Sequence, residues 1–138
     1  PNLDVFWEHL QAGHDLVTEI PQSRWDWHQY YDPTHTRKDK SHSRWGGFLE
    51  DIECFDAEFF NLSPLEAELM DPQHRLFLET VWHAIESSGY DPMSLKGQNI
   101  GLFVGVQFNE YQGLVEESGV TSGYIATGNS HAMLANRV

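Results

Sequence analysis

Leu3, Phe6, Trp7 and Leu10 fall at i, i+3, i+4 and i+7, a spacing that gathers four apolar side chains on one stripe of a helix. Gly13 follows, and glycine closes a helix readily because it tolerates the left-handed backbone of a C-terminal cap. The opening helix is therefore expected to pack by that stripe. Over residues 20–43 the periodicity disappears into a run of Pro, aromatics, His and charges, IPQSRWDWHQYYDPTHTRKDKSHS. That composition predicts a long ordered loop pinned by Trp25, Trp27, Tyr30 and Tyr31, with a mobile tip over residues 36–43.

Residues 46–49 (GGFL) predict a short strand or extended segment, and the aromatics Phe55, Phe59 and Phe60 come next. Ser63-Pro64 is a helix start, since a serine oxygen accepts from free amides and proline fits the first turn. A short helix over 64–70 is expected. Asp71-Pro72 repeats the signal and opens a second helix to about Ser88, stopped by Gly89. On it Leu78, Val81, Trp82 and Ile85 form the buried stripe, with Glu79, His83 and Glu86 outward.

Residues 99–106 (NIGLFVGV) are almost continuously apolar, the signature of a strand covered on both faces of a parallel sheet. A helix feeding such a strand predicts layered α/β architecture. Residues 113–128 read as a Gly-rich loop with at most a helical turn, and 129–138 as a helix. One clear strand supplies too few neighbours for a parallel sheet, so both ends are expected to stop in mid-architecture.

With 138 residues and 40% hydrophobic content, the chain is one domain at most and has the apolar surface for a packed core. Its 8 Lys+Arg against 21 Asp+Glu give a net charge of −13. An acidic surface repels phosphate and anionic lipid, which argues against nucleic acid or a membrane surface as partner. With no membrane-length apolar run and no signal-peptide pattern at the start, a cytoplasmic location is expected.

Cys54 is the sole cysteine, and its neighbours Glu53 and Asp56 oppose a thiolate, so a packed structural thiol is the reading. His28, His35 and His42 recur every seven residues, but metal ligands come from closer pairs on rigid elements, and a solvated loop explains them better. No metal site is expected. His74 and His83, nine apart on one helix, do not share a face. The acidic pairs Glu50-Asp51, Glu66 with Glu68, and Glu116-Glu117 read as solvated surface rather than a tuned acid and base. The glycines around Gly101 and Gly105 form no phosphate-binding motif. Residue chemistry alone yields an α/β piece without a reaction centre.

IPQSRWDWHQYYD from Ile20, RWGGFLEDIECFDAEFFNLSPLEAELMDPQHRLFLETVWHAIESSGYDP from Arg44, then NIGLFVGV and the closing TGNSHAMLANRV together closely resemble the β-ketoacyl synthase domain of modular polyketide synthases. The resemblance spans essentially the whole chain and is weakest over 34–43 and 110–123. The YYDP loop, a Lys and then RWGGF look most like ketosynthases served by a separate acyltransferase. His74 stands where the family usually has a second glutamine in DPQQR.

This resemblance implies a thiolase-like αβαβα layered fold, here incomplete, with residues 1–138 an internal segment of the N-terminal half of one ketosynthase domain. It implies a homodimer in which a cysteine takes an acyl chain from the phosphopantetheine of an acyl carrier protein. Two histidines then assist decarboxylation of a malonyl thioester whose carbanion attacks the acyl group. Covalent capture divides a difficult condensation, and an oxyanion hole carries the developing charge. The family's opening strand is expected before Pro1, and its cysteine and both histidines beyond Val138; Cys54 matches a different position. No catalytic residue is therefore expected in the chain, and the segment alone is expected to be inactive. By the same resemblance Phe108 matches the far end of the acyl channel, and Asn129, Ser130 and Met133 the helix that shapes it. Core packing for Phe108 and Met133, and a helix cap for Asn129, stand as the structural alternatives. Other polyketide synthase domains are implied partners. The alternative function is a non-catalytic thiolase-like module for dimerisation or carrier docking.

Overall fold

The computed structural model describes residues 3–138, which divide into two compact units, 3–50 and 51–138. The first unit holds helix α1 (Leu3–Ala12), strands β1 (Thr18–Glu19) and β2 (Trp45–Gly46), and a 3-10 turn at Trp27–Gln29. Gly13 closes α1 as expected: at φ +62° its N–H donates to the Leu10 carbonyl and the His14 N–H to that of His9, the pairing that satisfies orphan carbonyls at a helix end. The apolar stripe does not pack. Leu3, Phe6, Trp7 and Leu10 are all more than half exposed, because α1 has no second helix or sheet face against it among the described residues of its unit.

The 20–43 loop is organised by two side chains. Trp27 is buried, stacked on His28 at 3.9 Å and met edge-on by Tyr31 at 5.5 Å. The Arg44 guanidinium lies 5.1 Å over the Trp27 ring and pairs with Glu19 at 3.2 Å. Strands β1 and β2 run antiparallel with Thr18 opposite Gly46, and the Ile20 N–H extends the pairing to the Arg44 carbonyl at 2.9 Å. The tip is tied rather than mobile. The buried Asp32 carboxylate accepts from the backbone N–H groups of Thr34, Thr36 and Arg37 and from both threonine hydroxyls. These bonds hold it well below the usual carboxylate range, the Thr34 hydroxyl foremost. Ser41 and Asp32 then pair back through backbone bonds of 2.7 and 2.9 Å to Tyr30 and from Asp32 to Ser41.

The second unit is helical: α2 (Pro64–Leu69), α3 (Pro72–Ser87), a 3-10 turn at Pro92–Leu95, α4 (Tyr111–Glu117), α5 (Gly123–Asn129) and α6 (His131–Asn136). Both predicted caps form, Ser63 accepting from the Glu66 N–H at 3.1 Å and Asp71 from the Gln73 N–H at 2.8 Å. Each such cap is worth roughly 1 kcal/mol. Gly89, at φ +81°, stops α3. Of the predicted stripe on α3, Leu78 is buried while Val81, Trp82 and Ile85 are half-buried. Phe59 meets Trp82 edge-on at 4.7 Å and Phe60 at 4.9 Å. The most deeply buried apolar side chains are Leu69 and Met70 at the end of α2, Val115 on α4 and Leu134 on α6.

Two expectations fail here. Residues 99–106 form no strand, and Phe103 is 97% exposed; a parallel strand exists only by pairing, and the described residues of this unit offer it no partner. Residues 113–128 are not a loop but largely the helices α4 and α5, held by tertiary contacts that their glycines hide. Gly128 sits where α5 crosses the α2 end: a Cβ built there would lie 3.0 Å from the Met70 Cα and 3.2 Å from the Leu69 carbonyl oxygen. Alanine ordinarily gains about 1 kcal/mol over glycine inside a helix, but overpacking against backbone costs about 1–3 kcal/mol. Gly128→Ala is expected to lower the urea midpoint of the chain, and an unchanged or higher midpoint would remove close helix approach as the reason for glycine.

Candidate functional site

The candidate residues converge on the α5–α6 junction. Helix α5 is capped by Ser122, whose side chain accepts from the Tyr124 N–H at 3.2 Å, and ends at Asn129. Ser130 is extended, with φ −79° and ψ 124°, and α6 begins at once with His131. Asn129 is 1% exposed and turns its side chain back into the unit. Its Nδ2 donates to the Leu69 carbonyl and to the Ile125 carbonyl, both at 2.9 Å. Two carbonyl partners require the amide nitrogen on that side. Asn129 is therefore not the cap of α6, a place Ser130 takes; its side chain ties α5 to the end of α2. Its Oδ1 is buried without a partner among the described residues.

Phe108 reaches the same junction by its backbone. The Phe108 carbonyl accepts from Gln73 Nε2 and from His131 Nε2, each at 3.0 Å, while the residue is 59% exposed. Gln73 is steadied by Asp71, whose carboxylate oxygens lie 3.3 and 3.2 Å from Nε2. Ser130 is half-buried and its carbonyl accepts from the Met133 N–H at 2.9 Å; Met133 is also half-buried. The structure thus gathers Phe108, Asn129 and Ser130 around one helix junction, with Met133 a turn further along α6. An apolar hollow of about 700 Å³ lies elsewhere in the unit, among Leu78, Val81, Trp82, Ile85, Met93 and Leu95, and none of the four residues lines it.

Three participants had no signal strong enough to single them out. Gln73 was visible as part of a capped helix start and of the DPQ run, with no sign of its partner, His131 as one histidine among eight, and Arg137 as a terminal charge. Arg137 pairs with Glu66 at 2.9 Å, with side chains 11% and 17% exposed, joining α6 to α2.

Cys54 is exposed, in a turn where its N–H donates to the Asp51 carbonyl. His35 and His42 stack at 4.0 Å, but His28 is on Trp27, so the seven-residue spacing unites only two of the three. Among the described residues no group of three or more His, Cys, Asp or Glu is placed to hold a metal. Among the described residues no helix is long and apolar enough to cross a membrane. His83 is exposed near Glu86, on the opposite side of α3 from the buried His74.

Residues 1–138 match the family described as "Beta-ketoacyl synthase, N-terminal domain". The chain belongs to that family. It is 44% identical to the polyketide synthase PksM of Bacillus subtilis over 99% of its own length and 3% of the relative's. It is also 44% identical to the polyketide synthase ThaG of Burkholderia thailandensis, over 99% of the chain and 2% of the relative. Among solved structures, the oxazolomycin ketosynthase domain OzmH KS7 of Streptomyces albus superposes with a TM-score of 0.87 at 43% identity, covering 99% of this chain and 24% of that one. The module 6 ketosynthase of the Bacillus subtilis bacillaene synthase gives 0.75 at 39% identity, over 96% and 20%. The ketosynthase segment therefore spans about a quarter of the solved domains and a few per cent of the curated relatives, and its fold is part of their thiolase-like architecture.

His74 lies within this family segment at 2% exposure, its Nδ1 buried without a partner among the described residues. Desolvation lowers its pKa first, the nearby Arg137 and His131 lower it further, and Asp71 opposes them. A folded pKa below the ordinary 6.5 means that the unfolded chain binds the extra proton. Stability is then complete above pH 6.5 and falls as pH drops below it toward the folded value. His74→Gln is expected to flatten this part of the slope in urea titrations between pH 7.5 and roughly 5; an identical slope in both proteins would contradict the assignment.

Proposed function

We propose that residues 1–138 serve a ketosynthase that performs decarboxylative Claisen condensation in polyketide assembly. An acyl group passes from carrier-protein phosphopantetheine to a cysteine thiolate, and the carrier thiolate leaves. A malonyl thioester then loses carbon dioxide, and its carbanion attacks the acyl carbonyl, expelling the cysteine as thiolate. The nucleophile and two assisting histidines belong to sequence outside these residues, and this chain supplies wall rather than reagents: Phe108, Asn129, Ser130 and Met133 along the acyl channel, with the opposing wall from a second copy. Acyl carrier protein and neighbouring synthase domains are the partners, in the cytoplasm, and the transferred group makes the enzyme an acyltransferase.

The observation that carries this reading is the seating of the Phe108 carbonyl on Gln73 and His131. It supports a channel wall because it brings the residue matched to the channel's far end to the helix junction matched to its side. Incubated with acyl and malonyl carrier proteins, the 138-residue chain is expected to yield no β-ketoacyl product. The same chain continued through a Thr-Ala-Cys-Ser-like motif and the remaining domain is expected to yield it. Turnover by the 138-residue chain that Cys54→Ala abolishes would overturn the proposal, and a continuing sequence without a cysteine at that motif would favour a non-catalytic docking module.

A further inference from the structure

We infer that Gln73 and His131 are positioning residues for acyl-chain discrimination, acting through the Phe108 carbonyl; the inference rests on the ketosynthase reading above. A carbonyl oxygen has two lone pairs, and here each is met at 3.0 Å by a donor from a different helix, one from the start of α3 and one from the start of α6. The segment carrying Phe108 has no strand pairing, and the residue is 59% exposed, so packing contributes little to its direction.

What fixes the direction of the Phe108 side chain is then its backbone. Holding the carbonyl fixes the 108–109 peptide plane, and the Cα–Cβ bond follows from that plane through one remaining torsion. Gln73 suits the task because its own freedom is already removed: Asp71 accepts from its backbone N–H at 2.8 Å and from its amide at 3.2 and 3.3 Å. His131 can act only as the Nε2–H tautomer, since a carbonyl oxygen donates nothing. Its ring is held at the first position of α6, directly after the extended Ser130. Neither side chain faces an acyl group in this account. Each acts at one remove, by setting where the Phe108 ring points.

The test uses the complete ketosynthase polypeptide that carries residues 1–138, with short and long acyl thioesters as alternative donors. Gln73→Met keeps the side-chain length and removes the donor; His131→Phe keeps a ring and removes the donor; His131→Gln restores an N–H. The ratio of kcat/KM for long against short donors is expected to change about tenfold in Gln73→Met and in His131→Phe, the scale on which a pocket separates neighbouring chain lengths. The change should enter through KM for the long donor, move in the same direction in Phe108→Ala, and revert in His131→Gln. Circular dichroism establishes folding, and two variants on separate helices are read independently, so one that fails to fold leaves the other decisive. An active wild-type enzyme whose donor ratio is unchanged in the folded variants overturns the clamp and leaves the ketosynthase reading standing. A ratio that changes in His131→Phe but is not restored in His131→Gln also overturns it. A wild-type polypeptide that condenses nothing overturns the ketosynthase reading and this inference with it.

Discussion

The second unit depends on how a six-residue helix ends. Helix α2 is too short to be stable on its own, and the last carbonyls of any helix lack partners within it. Here they are taken by side chains from other helices: Tyr111 Oη donates to the Glu68 carbonyl at 2.7 Å, and the buried Asn129 amide to that of Leu69 at 2.9 Å. The Asp71 N–H answers in the other direction, donating to the Gly128 carbonyl at 3.1 Å. An unpaired buried carbonyl costs on the order of 1–3 kcal/mol, so these bonds are less a bonus than a condition for burying the α2 end. Gly128, with no side chain, lets the backbones come close enough for all of them.

From that junction the candidate site follows. Once Asn129 is pinned, Ser130 and His131 have fixed places, and His131 with Gln73 holds the Phe108 carbonyl. Position therefore passes from a polar core contact to an exposed aromatic ring without any sheet to carry it. The first unit solves the corresponding problem with Asp32, whose carboxylate gathers three backbone N–H groups and two hydroxyls in place of a strand ladder.

Local signals in the sequence were read correctly where the physics is local. Ser63 and Asp71 cap helices, and Gly13 and Gly89 end them, because capping involves residues within a few positions of each other. The family and its fold class were legible from motifs such as RWGGF and the DPQ run. What sequence could not settle is what depends on distant partners. The apolar 99–106 segment has the composition of a buried strand, yet strand formation needs neighbours these residues do not provide. The stripe on α1 has helical periodicity, yet periodicity says nothing of what lies opposite. Spacing suggests a cap as the structural alternative for Asn129, and its bond to Leu69, sixty positions away, leaves no trace in spacing. The clamp on Phe108 uses a backbone carbonyl, which every residue has.

The family resemblance and the geometry meet at the α5–α6 junction, where residues expected to shape an acyl channel share contacts that hold one another in place. If that junction is the organising element, the Asn129 side-chain amide is shielded and hydrogen-bonded at both protons. Hydrogen exchange of that amide in the folded chain, followed by NMR, tests this most directly. The account predicts exchange slowed by orders of magnitude relative to a free asparagine amide; exchange at the free rate, in a chain whose helices are intact, would contradict it.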